Sequence, residues 1–279
     1  MNFLKITEKA YAKLNLSLDI LSKRADGYHN IRSVFSTVSL YDTVTAEISD
    51  TIKVVCSDGT IPEKDNICTA AAKGFFEMSG IKGGCVITVQ KNIPTAAGLG
   101  GGSADAAAVL RALNRLYDGA LREENIKELA LSLGADVPFL LSGGVALVEG
   151  IGEKIAPLKP LPDCDIIIVK EGEKPSTGRL YSKYDNLEKP FHPDVLSMVT
   201  AVEVGDIKKI ASLCGNGFSA LWGDDTENIK QEMLLLGALT AELSGSGPSV
   251  FGIFEKGAGN TAFTKLKEKY SATFLVKPV

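Results

Sequence analysis

Apolar and polar residues alternate along 5–21, ending in Leu14-Asn-Leu-Ser-Leu-Asp-Ile-Leu21 with an apolar side chain at every second position. A period of two predicts a strand with one buried face, and it puts Lys13 and Asn15 together on one side. A solvated face accounts for that pair as well as a functional site does. Further strands are expected at 31–44, closing at Leu40-Tyr-Asp42, and at 48–55 and 85–90. Residues 66–78 read as a helix, capped at Asp65 or Asn66 and ended near Gly80. From Ser103 the period changes: Ala106, Val109, Leu110, Leu113 and Leu116 or Tyr117 recur at helical spacing. Ser103 reads as the N-cap of that helix, and Asp105 as a first-turn acid suited to its dipole. Helices follow at 123–133, stopped by Gly134 in the C′ manner, and at 193–213 and 224–237. Residues 145–153 read as strand and turn, 164–169 as a buried strand and 171–186 as a polar loop. A β run over 250–254 and a last helix and strand over 260–279 complete the pattern. No internal repeat or low-complexity tract interrupts it.

Composition narrows the class. The 279 residues suffice for two ordinary domains, and 45% hydrophobic with 23% charged residues is the balance of a soluble globular protein. The proline cluster Pro157, Pro160 and Pro162 is the candidate boundary, dividing the chain into 1–160 and 161–279. A net charge of −4 supplies no dominant basic footprint, so nucleic acid is not the expected partner. The first residues lack an apolar signal region, and no window reaches the roughly 18 apolar residues of a membrane span, so a cytoplasmic protein without membrane attachment is expected. Cys56, Cys68, Cys85, Cys164 and Cys214 contain no CxxC pair and read as reduced thiols. With only His29 and His192, a multi-histidine metal centre is excluded; Mg²⁺ held by carboxylates, hydroxyls and phosphates is the metal that fits.

The densest signal is the stretch from Lys91 to Tyr117. A strand leads through Lys91-Asn-Ile-Pro94 into Gly98-Leu-Gly-Gly-Gly102, and a helix opens directly behind. Glycines before a helix start leave bare N–H groups at its positive end, which makes an anion site. A plain connecting turn is the alternative. A P-loop is excluded because Gly102 is followed by Ser103-Ala104, and a dinucleotide fingerprint because seven residues separate the strand from Gly98 and Ser103 stands at the third glycine. Three other places carry chemistry. Tyr28-His29 follow the Asp26-Gly27 turn signal, where their rings either stack on a heterocyclic base or pack on the sheet. Asp136, between Gly134 and Pro138, is either a positioned carboxylate or the cap of a short segment. Ser244-Gly-Ser-Gly247 is either a hairpin turn or a set of phosphate donors.

Ala12-Lys-Leu-Asn-Leu16, Arg24-Ala-Asp-Gly-Tyr-His29, Ile93-Pro-Thr-Ala-Ala-Gly-Leu-Gly-Gly-Gly-Ser-Ala-Asp-Ala-Ala107, Gly134-Ala-Asp-Val-Pro138 and Ser244-Gly-Ser-Gly247 stand in this order. The set resembles the GHMP kinase superfamily, and Asp-Gly-Tyr-His is similar to its branch acting on a cytidyl-diphosphate sugar alcohol. The resemblance implies an α+β, two-domain fold, with an N-terminal ribosomal-protein-S5-like α/β domain and a C-terminal ferredoxin-like α+β domain. It implies ATP as co-substrate with Mg²⁺, Asp136 as the base for the substrate hydroxyl, and Lys13 as the group that orients it. ATP would be held by Asn66, Lys91, Pro94, Gly98, Leu99, Gly100, Gly101, Gly102 and Ser103, with Ser103 the candidate Mg²⁺ ligand. Asn15, Tyr28, His29, Thr177, Tyr181 and Gly245 would hold the substrate, His29 on the cytosine edge and Tyr28 and Tyr181 on its faces. A monomer or weak homodimer is expected. Two segments depart from the branch: Glu171-Gly172 replaces Pro-Gly, and Asn216-Gly-Phe218 lacks a following acid. A GHMP kinase for another small alcohol, such as mevalonate or homoserine, lacks a use for Tyr28-His29. A catalytically silent nucleotide-binding protein would have lost Asp136 or Lys13, and both are present.

Overall fold

The opening alternation grows into two long strands. In the computed structural model, which describes residues 5–57, 59 and 66–279, β1 spans Lys5–Lys23 and β2 spans His29–Ser49. The expected close at Leu40–Asp42 is absent because residues 43–49 go on to pair antiparallel with residues 84–90, so the strand runs on. The break falls instead after Ser49, before β3 (Lys53–Cys56). Then come α1 (Ile67–Ser79), β4 (Gly84–Gln90), α2 (Gly101–Leu116), α3 (Glu123–Leu133) and α4 (Val137–Ser142). The hairpin of β5 (Val145–Gly150) and β6 (Lys154–Leu158) leads to β7 (Asp165–Val169), α5 (Thr177–Tyr184), α6 (Val195–Val204), α7 (Ile207–Leu213) and β8 (Gly215–Asn216). The chain closes with α8 (Asp224–Leu235), β9 (Thr240–Leu243), β10 (Val250–Phe254), α9 (Gly259–Lys269) and β11 (Thr273–Val276).

Two compact units interleave along the sequence. One comprises the described residues of Met1–Ala12, Leu40–Thr95 and Gly100–Ser142; the other comprises Lys13–Ser39, Ala96–Leu99 and Gly143–Val279. In the first unit the 43–49 end of β2 pairs antiparallel with β4, and β3 lies parallel on β4's other side. Asn66 caps α1 by accepting the Cys68 N–H, and Gly80 ends it at a φ of 69°. Asp65, the other candidate cap, and the first four residues lie outside the described residues. Helix α2 is buried on most sides, from Ala104 to Leu116, because its small alanines let α1 and α4 approach it. Gly74 of α1 serves the same purpose: a Cβ there would stand 2.5 Å from Leu129 of α3. Gly134 ends α3 in extended backbone (φ 165°), not the left-handed turn expected of a C′ glycine, and so carries the chain onward to Asp136.

In the second unit β5 pairs antiparallel with residues 31–36 of β2, and β8 lies parallel to β1 at Ser17 and Leu18. The last four strands form a separate antiparallel sheet, ordered β11-β7-β10-β9. Fourth, first, third, second is the strand order of a ferredoxin-like domain, as the motifs implied. Helices α8 and α9 cover it through Ile229, Met233, Ala262 and Leu266, each large apolar side chain contributing about 1.5–3 kcal/mol. The expected polar loop at 171–186 contains α5, because Leu180 and Tyr184, one turn apart, bury together and Ser176 caps the start. The expected single helix at 193–213 is two. Gly205 (φ 78°) ends α6, and Asp206 caps α7 by accepting two N–H groups.

Candidate active site

The glycine stretch is built by backbone, with its side chains playing little part. Positive φ recurs at alternate residues, Ala96 (54°), Gly98 (77°) and Gly100 (70°), and such alternation turns successive N–H groups to one concave side. The carbonyls are anchored. Ala97 and Leu99 accept from the Ser249 and Lys13 N–H groups, and Gly98 accepts from the Ser244 hydroxyl. Among the described residues, the N–H groups of Gly98 to Ser103 donate to nothing. Helix α2 starts at Gly101 with left-handed Gly100 as its cap residue, so Ser103 sits inside the first turn and is not the expected cap. With no side chain capping them, the first amides of α2 remain available to an anion. Gly98 has no substitute, since a Cβ would lie 2.3 Å from the Ser244 carbonyl oxygen. Leu99 is buried as a packing residue, and Pro94 is half-buried.

In the first unit, Lys91 lies between two acids. Its ammonium donates to Asp42 Oδ2 at 2.5 Å and Asp105 Oδ2 at 2.6 Å. Asp105, expected as a first-turn acid, lies beyond the first turn because α2 starts at Gly101; it is nearly inaccessible, and burial, aided by Asp42 and opposed by Lys91, pushes its carboxyl up to about 7. Asn66 also points inward, capping α1 with Oδ1 and donating Nδ2 to Cys56 Sγ. Asp136 is half-buried immediately before α4, with its carbonyl accepting from the Leu140 N–H.

In the second unit the alternation of β1 proves to be a buried polar stripe. Lys13 and Asn15 are 4% and 2% exposed, which removes the solvated-face explanation. Lys13 Nζ donates to Asn15 Oδ1 at 2.6 Å, Asn15 Nδ2 donates to Ser33 Oγ at 3.1 Å, and the ammonium lies 4.5 Å from the Phe35 ring centroid. Gly245 (φ 56°) faces this pair, and a Cβ there would stand 3.2 Å from Asn15 Oδ1 and 3.5 Å from Lys13 Nζ. Asn216 fixes that loop by donating to the Leu243 and Gly245 carbonyls. The ring stacked on Tyr181 is His29, at 4.5 Å and 14°. His29 is buried with Nε2 2.7 Å from Asp185 Oδ1, whereas Tyr28 is 59% exposed on the turn. Lys23 also bonds Asp185, and the two partners, Lys23 first, hold that carboxyl below its ordinary range. Thr177 is exposed at the start of α5. Asp42, Asp185 and Asn216 escaped sequence reasoning. Each acts through a partner 27 or more residues away, and no local pattern marks such a pair.

Two family descriptions match the chain, GHMP kinases N terminal domain over residues 66–144 and GHMP kinases C terminal over 198–272. The 4-diphosphocytidyl-2-C-methyl-D-erythritol kinase of Clostridium botulinum (strain Alaska E43 / Type E3) is 39% identical across 97% of this chain and 99% of its own. The chain belongs to the 4-diphosphocytidyl-2-C-methyl-D-erythritol kinase family of GHMP kinases. A second member of that family, from Thermoanaerobacter sp. (strain X514), is 41% identical across 99% of this chain and 96% of its own. A crystal structure of 4-(cytidine 5'-diphospho)-2C-methyl-D-erythritol kinase matches with a TM-score of 0.83 at 29% identity, covering 98% of this chain and 99% of that one. Homoserine kinase from Cytophaga hutchinsonii shares the fold, with a TM-score of 0.77 at 21% identity over 99% and 95% of the two chains. The two-domain α+β GHMP kinase fold expected from the motifs is thus the fold of this family. ATP is the co-substrate that family membership implies.

Proposed function

We propose that this protein transfers the γ-phosphoryl group of ATP to the 2-hydroxyl of 4-diphosphocytidyl-2-C-methyl-D-erythritol. The products are the 2-phosphate and ADP, on the non-mevalonate route to isopentenyl diphosphate. The observation that carries this reading is near-full-length identity of about 40% to kinases of that name. The reaction needs little covalent chemistry from the protein, only positioning, charge stabilisation and a place for one proton. Asp136, in the first unit, accepts the proton of the attacking hydroxyl. Lys13, in the second, orients that hydroxyl; its ammonium is fixed by Asn15, so its placement costs no rearrangement during the reaction. The open amides of Gly98 to Ser103 bind the phosphates, and Asn66, Lys91 and Pro94 flank the nucleotide.

Base recognition falls to His29, Tyr28 and Tyr181, with Asn15, Thr177 and Gly245 completing the substrate contacts. Asp185 Oδ1, 2.7 Å from His29 Nε2, fixes the imidazole so that its other nitrogen is left for the cytosine edge. Among the described residues no group of three His, Cys, Asp or Glu side chains could hold a metal ion. Ser103, half-buried in the first turn of α2, suits Mg²⁺ that takes most of its ligands from phosphate and water. When bound there, the ion would neutralise charge on the transferring phosphates. The segments 1–160 and 161–279 are proposed as the two family domains along the sequence, and a monomer or weak homodimer in the cytoplasm as the working state. Phosphorus NMR of the product tests the assignment directly. A new phosphomonoester on the 2-carbon supports it, and a phosphate at any other hydroxyl refutes it.

A further inference from the structure

Asp42 belongs to none of the family motifs, yet it is fully buried in β2, in the first unit. Its Oδ1 accepts the N–H groups of Asn92 (2.5 Å) and Ile93 (2.8 Å), and its Oδ2 accepts the Lys91 ammonium at 2.5 Å. The Asn92 side chain adds a bond to the Tyr41 carbonyl. Three consecutive residues, Lys91, Asn92 and Ile93, are therefore tied to one step of β2. A carboxylate this deep is unfavourable unless fully bonded, and here three donors meet it.

Two of those residues lie against the start of α2. A Cβ at Gly101, the first residue of α2, would lie 3.0 Å from Ile93 Cγ2 and 3.6 Å from Lys91 Nζ. The Ile93 side chain and the Lys91 ammonium thus lie against the first residue of α2, whose amide is open. Lys91 is shared with Asp105, whose Oδ1 is buried without a partner among the described residues. With Asp42 removed, the ammonium would keep one carboxylate and lose the one that also holds the backbone.

We infer that Asp42 is a positioning residue for ATP: through Lys91 and the 92–93 backbone it fixes the first turn of α2 without touching the nucleotide. This rests on the reading of Gly98 to Ser103 as the phosphate site. The test varies both substrates with Asp42→Asn, which keeps an acceptor oxygen and removes the charge. Losing one charge-assisted bond should raise the KM for ATP about tenfold or more, with the KM for the cytidyl alcohol within about twofold of wild type. In a Lys91→Met background the same change should shift the ATP KM by less than about twofold, because its partner is gone. Asp42→Glu, which restores the charge, should recover part of the loss. Equal rises in both KM values, an unchanged ATP KM, or a full effect in the Lys91→Met background would each overturn the inference.

Hydrogen exchange on the wild type gives an answer that does not depend on a variant folding. The Asn92 and Ile93 amides should exchange slowly before ATP is added. Fast exchange that only ATP slows would mean the nucleotide orders this segment, against the proposal. Absence of any ATP-dependent turnover in the wild type would instead refute the kinase reading itself.

Discussion

Lys91 and Asp105 are both nearly out of water, and each changes the other's hold on its proton. Burial disfavours the Lys91 charge, but Asp105 and Asp42 outweigh it and raise its pKa. Asp105 moves from its ordinary 3.8 to about 7, so the folded protein holds a proton there that the unfolded chain releases between those values. Folding then takes up a proton, and stability falls as pH rises through that window. Thermal melting of Asp105→Asn should lose this part of the slope between about pH 4 and 7; an unaltered slope would show that the carboxyl titrates normally. At Asp136 the prediction concerns turnover. Asp136→Asn should lower kcat by about a hundredfold or more, the usual worth of a general base, while ATP and substrate still bind by calorimetry. Retained kcat would remove Asp136 from that role. Such residues differ in how readable they are. Asp136 was visible because a glycine and a proline bracket it within five residues. Lys13 and Asn15 showed a common face but not its burial, because alternation gives sidedness and leaves open which side is covered. Asp42 gave no signal, since its partners Lys91 to Ile93 lie 49 to 51 residues on.

Among the elements, the glycine stretch proposed to hold the phosphates has at Gly98 a backbone geometry that no other residue type supplies. Gly98→Ala combines a left-handed φ with a Cβ against the Ser244 carbonyl, so the loop must shift. Its ATP KM should rise by about tenfold or more at little cost to the rest of the fold, and wild-type ATP kinetics would contradict the loop's assigned role. The density of glycine marked this turn from sequence, yet its cap was misplaced. A serine before a helical run is a good cap by composition, but a left-handed glycine three residues earlier starts the helix with bare amides. Helix α5 was missed for the opposite reason. Its sequence is polar, and only burial of Leu180 and Tyr184 against Leu18, Ile20 and Phe218 selects the helix. The break at Gly205-Asp206 carried both a stop and a start signal, and apolar residues on either side obscured it.

For the whole molecule, periodicity named most strands but not their partners or the interleaving of the two units. The last residues illustrate this. Val279 N–H donates to the Thr37 carbonyl, Thr37 Oγ1 donates to the Val279 carbonyl, and Ser39 N–H donates to the Lys277 carbonyl. Deleting 277–279 should remove these bonds at about 0.5–1.5 kcal/mol each and lower the melting temperature by several degrees; an unchanged melting point would show that the end does not hold β2. Family membership was legible at this scale because five local runs keep their order along the chain.

The central claim, a kinase of a cytidyl-diphosphate sugar alcohol, is tested most directly by coupled ADP release. Purified protein would be given ATP and Mg²⁺ with 4-diphosphocytidyl-2-C-methyl-D-erythritol, mevalonate or homoserine in turn. The account predicts saturable, ATP-dependent turnover of the cytidyl compound and at most background rates with the other two. Turnover of mevalonate or homoserine, with none of the cytidyl compound, would contradict it.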